Sequence, residues 1–591
     1  MSVSFLQKLN QPQQQAVMFV DQPSIILAGA GSGKTRVLGY KAAYLLSEVK
    51  IDPRALLMLT FTNKAADEMK LRIKKYIDPR LNPELITATT FHSFAVLVLR
   101  RFGLAKTHQR QFVIFDDNDQ KDLLKQIIKD SDLKTKVTVN SLLYRIGLAK
   151  NQLLTPKDLE EQALNVYDEV IVDVYRRYQK ELRNNNALDF DDLLNEMVYL
   201  LEQEPSVLAK LQNQYQYLLI DEYQDTNHCQ YLMAKLLAQK HHRITIVGDF
   251  SQSIYSWRGA DFTNLEKFQK DFQNAKVFNL EQNYRSTQPI LDFAYNVISQ
   301  NTTHPILKLW TEKKGGEEIK IVPLENAEKE ATFVVNKIQE LNFSGDYSLE
   351  DFAVLYRTNA QSRLFEEICL AQGLPYRIYG GVRFYERREI KDILAFLRYL
   401  HNPKDQVALK RIMKLGKKRG QLILQTIAKQ SAQNKPEQII QAILKDSPYL
   451  HLYSQNDPED ATRMENIQEL INVSYNYDTL EKLLDTVALI EAGYEFKDGQ
   501  GEKIHLMTLH AAKGLEFGVV FIVGVEEGIL PHSRSIESIT ELEEERRLFY
   551  VGITRAKEKL FLTYTNRRYL YGRAQYNLPS QFLGETAYPE Y

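Results

Sequence analysis

Cysteine is nearly absent. The 591-residue chain holds two, Cys229 and Cys369, too few for a disulfide framework and too far apart for a CxxC site. Both are expected to be buried free thiols in a reducing compartment. An excess of one charge is also missing: 75 Lys and Arg face 76 Asp and Glu, a formal net charge of −1. Bulk charge therefore does not announce a nucleic-acid partner. It does not exclude one either, because a binding groove needs only local charge. No apolar run reaches the roughly 18 residues read as a membrane span, and the N-terminal MSVSFLQKLNQPQQQ has no apolar signal core. The expectation is a cytoplasmic chain with no membrane partner. With 26 Gly and 18 Pro, the composition is neither collagen-like nor disordered.

What is present is an ordinary globular balance, 44% hydrophobic and 26% charged. The length exceeds one hydrophobic core, and at roughly 100–200 residues per domain it predicts about three to five units.

The first chemical signal follows a short apolar run. Ser24–Ala28 (SIILA) reads as a buried strand, then come Gly29, Ala30, Gly31, Ser32, Gly33, Lys34 and Thr35, then a helical pattern with Val37, Tyr40 and Tyr44. Strand, glycine loop and helix are the context of a P-loop, in which backbone N–H groups converge on a phosphate at a helix N-terminus. Lys34 would reach the β- and γ-phosphates, and the Thr35 hydroxyl would ligate Mg²⁺. The pattern begins with Ala28 where the usual one begins with Gly. A second apolar run, Tyr217–Ile220, leads straight into Asp221 and Glu222, placed to hold the Mg²⁺ shell and to take a proton from the attacking water. A third, Ile244–Val247, ends in Gly248-Asp249 and leads to Gln252, a candidate γ-phosphate sensor. These residues predict an NTPase and leave its substrate open.

Ordered blocks along the rest of the chain carry a resemblance. They are LNQPQQQAV (9–17), AGAGSGKTR (28–36), TFTNKAADEM (60–69), TTFHSFA (89–95), LDFDDLL (188–194) and DEYQDTN (221–227). GDFSQSIYSWRGAD (248–261), LEQNYRST (280–287), AVLYRTNAQSR (353–363), LMTLHAAKGLEF (506–517) and EEERRLFYVGITRAKEKL (543–560) complete them. In this order the chain resembles the superfamily 1 helicases of the UvrD/Rep/PcrA group over nearly its whole length. The resemblance implies an α/β fold with two RecA-like P-loop NTPase cores, 1A and 2A, sandwiching ATP, each carrying a mostly helical insertion. On this chain core 1A would take residues 1–95 and 189–276, insertion 1B 96–188, core 2A 277–380 and 502–591, and insertion 2B 381–501. The β-rich runs 319–324, 352–357, 504–509, 518–525 and 559–564 independently suggest the second core, and none brings a second Gly-Lys-Thr loop.

By the same resemblance Gln13 hydrogen-bonds adenine, Tyr284 stacks on it, Arg36 lies near and Glu516 binds the ribose. Taken alone, Tyr284 reads as a core ring. Arg285 and Arg555 are the candidate γ-phosphate clamps, both expected from the half that lacks the P-loop. On sequence alone, Arg555 reads better as a surface arginine paired within the acidic run 543–545. Tyr255, Trp257 and Arg258 share one short loop suited to unstacked bases and their phosphates. Phe61, His92, Phe190, Arg357, Asn359, His532 and Tyr571 stand at family positions that line single-stranded DNA, Tyr571 replacing a common Phe. The second insertion, 121 residues from 381 to 501, is short for the group. Where the family commonly carries a Gly-Ile-Gly turn against duplex phosphates, this chain has Lys414–Gln421 (KLGKKRGQ) with no such turn; Lys417, Lys418 and Arg419 would either compensate through longer-range charge or form a solvated basic loop without DNA contact.

The reading is an ATP- and Mg²⁺-dependent 3′→5′ DNA helicase or single-strand translocase acting on single strands and single-strand/duplex junctions, in DNA repair or replication. The polarity rests on the resemblance alone. Alternatives are a translocase that displaces bound proteins without efficient unwinding, or the motor subunit of a helicase–nuclease complex. Ending at Tyr591, the chain is expected to carry no fused nuclease. A small-substrate P-loop kinase would have no use for the Tyr255/Trp257 loop. Pathway, protein partners and oligomeric state are not encoded legibly.

Overall fold

The computed structural model describes residues 3–77, 82–105, 107–130, 137–163, 165–454, 457–495, 501–570 and 573–585. The chain divides into two compact units. One comprises Met1–Arg285 and Thr302–Glu312, the other Ser286–Asn301 and Lys313–Tyr591.

Among the described residues eight strands belong to the first unit: β1 (Ser24–Ala28), β2 (Leu56–Thr60), β3 (Thr87–Thr90), β4 (Val113–Ile114), β5 (Ala187–Leu188), β6 (Tyr217–Ile220), β7 (Ile244–Gly248) and β8 (Lys276–Leu280). Six form one parallel sheet in the order β3-β2-β6-β7-β1-β8. β1, β2, β6 and β7 are buried at every residue. Helices pack on both faces, so these strands read as continuous apolar runs and not as alternating ones. One face packs Phe94, Leu99, Met197 and Leu218, the other Val37, Leu45, Met58 and Leu219. The remaining pair, β4 and β5, closes the base of a helical insertion built from Asp117–Asp130, Val139–Asn151, Pro156–Glu161 and Val166–Asn184. It has its own apolar centre at Leu124, Leu142, Val174 and Tyr178.

The second unit holds β9 (Lys320–Asn326), β10 (Phe352–Tyr356), β11 (Tyr376–Tyr379), β12 (Ile504–Thr508), β13 (Phe517–Ile522), β14 (Ala556–Leu570) and β15 (Arg573–Gln575). Their order is β11-β12-β10-β13-β14, with β9 running parallel along β14 and β15 antiparallel at its end. Among the described residues six α-helices lie between β11 and β12 in sequence, from Arg388–His401 to Leu480–Glu495. They share a core of Phe396, Ile412, Ile440, Leu470 and Leu483. Among the described residues no helix is long and apolar enough to cross a membrane, and Cys229 and Cys369 are buried free thiols.

Three features differ from the sequence reading. The boundary expected between 276 and 277 falls inside β8, which pairs with β1 along its whole length, so the first unit continues to Arg285. The boundary expected at 96 cuts the helix Phe91–Phe102, and the insertion is clasped instead at Val113 and Ala187. The segment Lys414–Gln421 is not a loop: Lys414 ends one helix and Lys417 begins the next.

Candidate nucleotide and nucleic-acid site

In the first unit the candidate residues gather along the C-terminal edge of the parallel sheet, where ligands of open α/β sheets bind. β1 leads into the P-loop, β6 into Asp221 and Glu222, β7 into Asp249, and β8 into Glu281–Arg285. β2 and β3, at the other end of the same edge, lead into Phe61 and into Phe91-His92.

The P-loop is shaped for an anion. Gly31 and Gly33 have φ of +67° and +86°, and a Cβ on Gly31 would meet Asn283 Nδ2 at 2.6 Å. The helix Lys34–Ser47 starts at Gly33 with no side-chain cap, so its first N–H groups face the loop. Asn283 Nδ2 donates to Ala30 O (2.7 Å) and Tyr284 N to Gly31 O (3.0 Å). Leu309 fills the space beside Gly29.

Three acidic groups surround this loop. Thr35 Oγ1 donates to Asp221 Oδ2 at 3.3 Å, and Lys34 Nζ lies 3.4 Å from Glu222 Oε2. Burial, then the charge of Glu222, pushes Asp221 up to about 7. Burial also raises Asp249. Such crowding of carboxylates against one lysine suits a divalent cation, and a hydroxyl beside a carboxylate is a Mg²⁺ donor set. Thr35 and Asp221 therefore fit Mg²⁺. Gln252 is buried, its Nε2 donating to Asp249 Oδ2 at 2.5 Å.

At the adenine candidates the structure adds partners that the sequence reading missed. Gln13 is buried. Its Nε2 donates to Ser32 O (2.9 Å), while its Oε1 accepts from Asn10 N (3.2 Å) in a capping box. Asn10 Nδ2 also donates to Gln282 Oε1 and Tyr284 OH, and Tyr284 OH donates to Gln282 Oε1. The Tyr284 ring is 43% exposed, which leaves a face for stacking. Arg36 donates to Lys8 O at 2.6 Å. The N-x-x-Q spacing of Asn10 and Gln13 was a legible capping-box signal. Gln282 had none.

Arg285 is a correction. It belongs to the P-loop unit, its Cβ standing 2.8 Å from where a Cβ on Gly31 would lie. The cause is β8, which carries the chain past the P-loop before it leaves the first unit.

The single-strand candidates of this unit sit at helix starts fixed by caps. Thr90 Oγ1 accepts from Ser93 N and sets the start of the helix bearing His92. The Asp189–Asp192 capping box makes Phe190 the first residue of the next helix. His92 and Phe190 meet edge to face at 6.0 Å. Burial lowers His92 to about 4, so at neutral pH it is a neutral ring. Tyr255 and Trp257 stand 6.4 Å apart, and the Arg258 guanidinium lies 5.4 and 4.5 Å from their ring centres.

In the second unit Arg555 is 2% exposed. Its guanidinium donates to Val551 O, Leu515 O and Thr554 Oγ1. Arg357 forks onto Glu545 through three hydrogen bonds of 2.7–3.0 Å. His532 Nε2 lies 3.3 Å from Glu465 Oε1, and its backbone N donates to Glu545. Glu516 pairs with Lys557 at 3.0 Å. Asn359 opens a short 3-10 turn beside Gly381. Thr358, Gln361 and His532 line a cavity of about 360 Å³ with Arg363, Glu465 and Arg567. Tyr571 lies outside the described residues.

Comparison with known proteins completes the picture. A model of the UvrD/REP helicase N-terminal domain matches residues 9–273, and one of the UvrD-like helicase C-terminal domain matches 278–452 and 421–567. The chain is 42% identical to the ATP-dependent DNA helicase PcrA of Bacillus subtilis, over 99% of this chain and 86% of the relative. It is 40% identical to the ATP-dependent DNA helicase PcrA of Leuconostoc citreum, over 98% and 84%. Identity to the ATP-dependent DNA helicase PcrA of Staphylococcus aureus is 38%, over 98% and 86%.

Proposed function

The chain belongs to the UvrD/Rep/PcrA-type helicases, and on that premise we propose that it moves 3′→5′ along single-stranded DNA and opens duplexes at single-strand junctions. It is an ATP-dependent DNA helicase with DNA-dependent ATPase activity, built on two RecA-like α/β cores. The observation that carries the coupling of hydrolysis to a strand is the shared sheet edge of the first unit, whereas the polarity rests on the family resemblance. The same edge bears a phosphate loop with an acidic pair and a set of exposed rings, and the loop after β7 runs from one to the other.

In this reading Lys34 compensates phosphate charge, and Glu222 takes the proton of the attacking water. Thr35 and Asp221 hold Mg²⁺, which when bound supplies charge to the phosphates. Gln252 reads the γ-phosphate through its bond to Asp249. Arg285 beside the P-loop and Arg555 of the second unit are the two guanidinium candidates for charge developing on the transferred group. The Tyr284 face takes adenine. Gln13 shapes the base pocket from within, since its amide already serves Ser32 and Asn10. Phe61, His92, Phe190, Tyr255 and Trp257 offer rings to successive bases. Arg258, Arg357, Asn359, His532 and Tyr571 complete the proposed strand contacts. Two buried free thiols suit a cytoplasmic setting, and repair or replication is the proposed context.

The second reading is a translocase with weak unwinding, suggested by the short second insertion (381–501) and its lack of a Gly-Ile-Gly turn. Unwinding of 3′-tailed against 5′-tailed duplexes, alongside ATPase with and without oligo-dT, separates these readings. Stimulation by oligo-dT with opening of the 3′-tailed duplex alone is expected. Opening of the 5′-tailed duplex alone would overturn the polarity.

A further inference from the structure

One buried amide joins the carboxylate proposed as the base to the loop proposed to stack on the strand. Gln224 is fully buried in the turn after β6. Its Nε2 donates to Glu222 Oε2 at 2.7 Å and to Asp225 Oδ2 at 3.3 Å. Its Oε1 accepts from Asp249 N at 3.1 Å, and its backbone carbonyl accepts from Ser253 Oγ at 3.1 Å. The fit is tight on the β7 side, where a Cβ on Gly248 would stand 2.7 Å from Gln224 Oε1.

The chemistry of these contacts is specific to an amide. A primary amide gives two N–H bonds to carboxylates and accepts one from a backbone N–H at the same time. A glutamate there would face two other carboxylates. A methionine would leave the buried Asp249 N–H without its acceptor. Glu222 itself sits at φ +51°, a region that non-glycine residues rarely occupy, so its carboxylate direction depends on what surrounds it. Lys34 and Gln224 share the same oxygen of Glu222. When Lys34 turns to a phosphate, the amide keeps its hold on that oxygen. On the other side Asp249 holds Ser251 N and Gln252 Nε2, and the chain continues through Ser253 to Tyr255, Trp257 and Arg258.

We infer that Gln224 is a positioning residue that links strand occupancy at the Tyr255–Trp257–Arg258 loop to the orientation of the Glu222 carboxylate. This rests on the function proposed above. A shift of the loop on stacking moves Asp249 N or Ser253 Oγ, and both bear on Gln224 within one hydrogen bond of Glu222.

The test uses the full chain and oligo-dT, with steady-state ATPase measured with and without the strand. Gln224→Met is expected to lower the ratio of strand-stimulated to basal kcat about tenfold, with ATP KM and oligo-dT affinity each moved less than about twofold. In a cycle with Trp257→Ala, the double variant should lose no more of that ratio than the more affected single variant. An equal fall of basal and stimulated rates, no change in either, or additive losses in the cycle would each overturn the inference. If Gln224→Met does not fold, Gln224→Asn, which keeps the amide but is too short to reach Glu222 and Asp249 N together, is read in the same way, and failure of both to fold makes the residue structural and ends the proposal. A wild-type chain that oligo-dT does not stimulate would remove the proposed function and this inference together. A stimulated wild type with an unchanged ratio in the variants removes the inference alone.

Discussion

Phe61, Phe190 and Trp257 of the first unit are 37, 47 and 37% exposed, and Arg258 lies across the rings of Tyr255 and Trp257. In the second unit Arg357 is clamped by Glu545, His532 faces Glu465, and Arg555 donates to main-chain carbonyls and to Thr554 Oγ1. Solvation explains the contrast. An aromatic face left in water is cheap and ready to stack, whereas a guanidinium in low-dielectric surroundings needs an acceptor at all times. The first unit can hold its candidate contacts in a binding-ready form. On the proposed function the second would exchange an internal partner for a phosphate: a carboxylate at Arg357 and main-chain carbonyls at Arg555.

The strongest way to break this contrast is at the nucleotide end of the first unit. Glu222→Gln should lower kcat by about 10²–10⁴-fold while nucleotide stays bound, because the phosphate and Mg²⁺ contacts are kept. Lys34→Ala should abolish hydrolysis and weaken nucleotide binding as well. Turnover and equilibrium nucleotide binding distinguish the two, and neither should shift Tm strongly. A Glu222→Gln chain that turns over normally would remove Glu222 as the base. In the second unit Arg555→Ala should lower kcat on the order of 10³-fold and lower Tm too, since its guanidinium also satisfies the Val551 and Leu515 carbonyls. An unchanged Tm would mean that this arginine is as ready-made as the rings of the first unit.

Much of this contrast was hidden in the sequence, for physical reasons. β1, β6 and β7 were legible because buried parallel strands are short apolar runs that end in the very residues carrying the chemistry. β8 was not: KVFNL is mostly exposed, and its place beside β1 depends on a partner some 250 residues earlier. That is why Arg285 was expected in the wrong unit. Glu545 and Gln224 were equally hidden. Both lie inside blocks that were read for other residues, and their partners Arg357 and Asp249 are distant in the chain. KLGKKRGQ reads as a loop from its glycines. Gly420 is instead inside a helix, where a Cβ would come 2.9 Å from Ile412 O, so glycine there serves close helix packing.

Two single-residue changes sharpen the comparison directly. Arg357→Ala strands Glu545, whose carboxyl the guanidinium holds below its usual range despite burial. Losing one member of such a pair should cost about 3–5 kcal/mol of stability, read as a lowered midpoint in urea, together with weaker strand binding. Trp257→Ala should do the reverse. It should cost about 1–3 kcal/mol of oligo-dT affinity with the urea midpoint nearly unmoved. Arg357→Ala with an intact midpoint would show that the ion pair is not holding the second unit together. Trp257→Ala with intact affinity would return Trp257 to a packing role.

The smallest expected effect concerns the part of the second unit that is not paired in this way. Lys417 and Lys418 are exposed in the first turn of the helix Lys417–Ile427, the end of the macrodipole where a cation is unfavourable. Arg419, beside them, folds back to donate to Leu415 O at 3.1 Å. Of the three charges that could replace the Gly-Ile-Gly turn, two therefore point to solvent, without backbone N–H groups closing on a phosphate through a glycine turn. Contact through such side chains is longer in range and more sensitive to salt. Lys417→Gln with Lys418→Gln should flatten the slope of log affinity against log salt for a 3′-tailed junction by about 2, near 0.9 per charge removed. Oligo-dT affinity and oligo-dT-stimulated ATPase should be kept. If the junction slope does not change, this helix start does not meet duplex. If the oligo-dT slope flattens instead, the helices between β11 and β12 serve the single strand, and the second unit grips with its insertion as well as with its sheet edge.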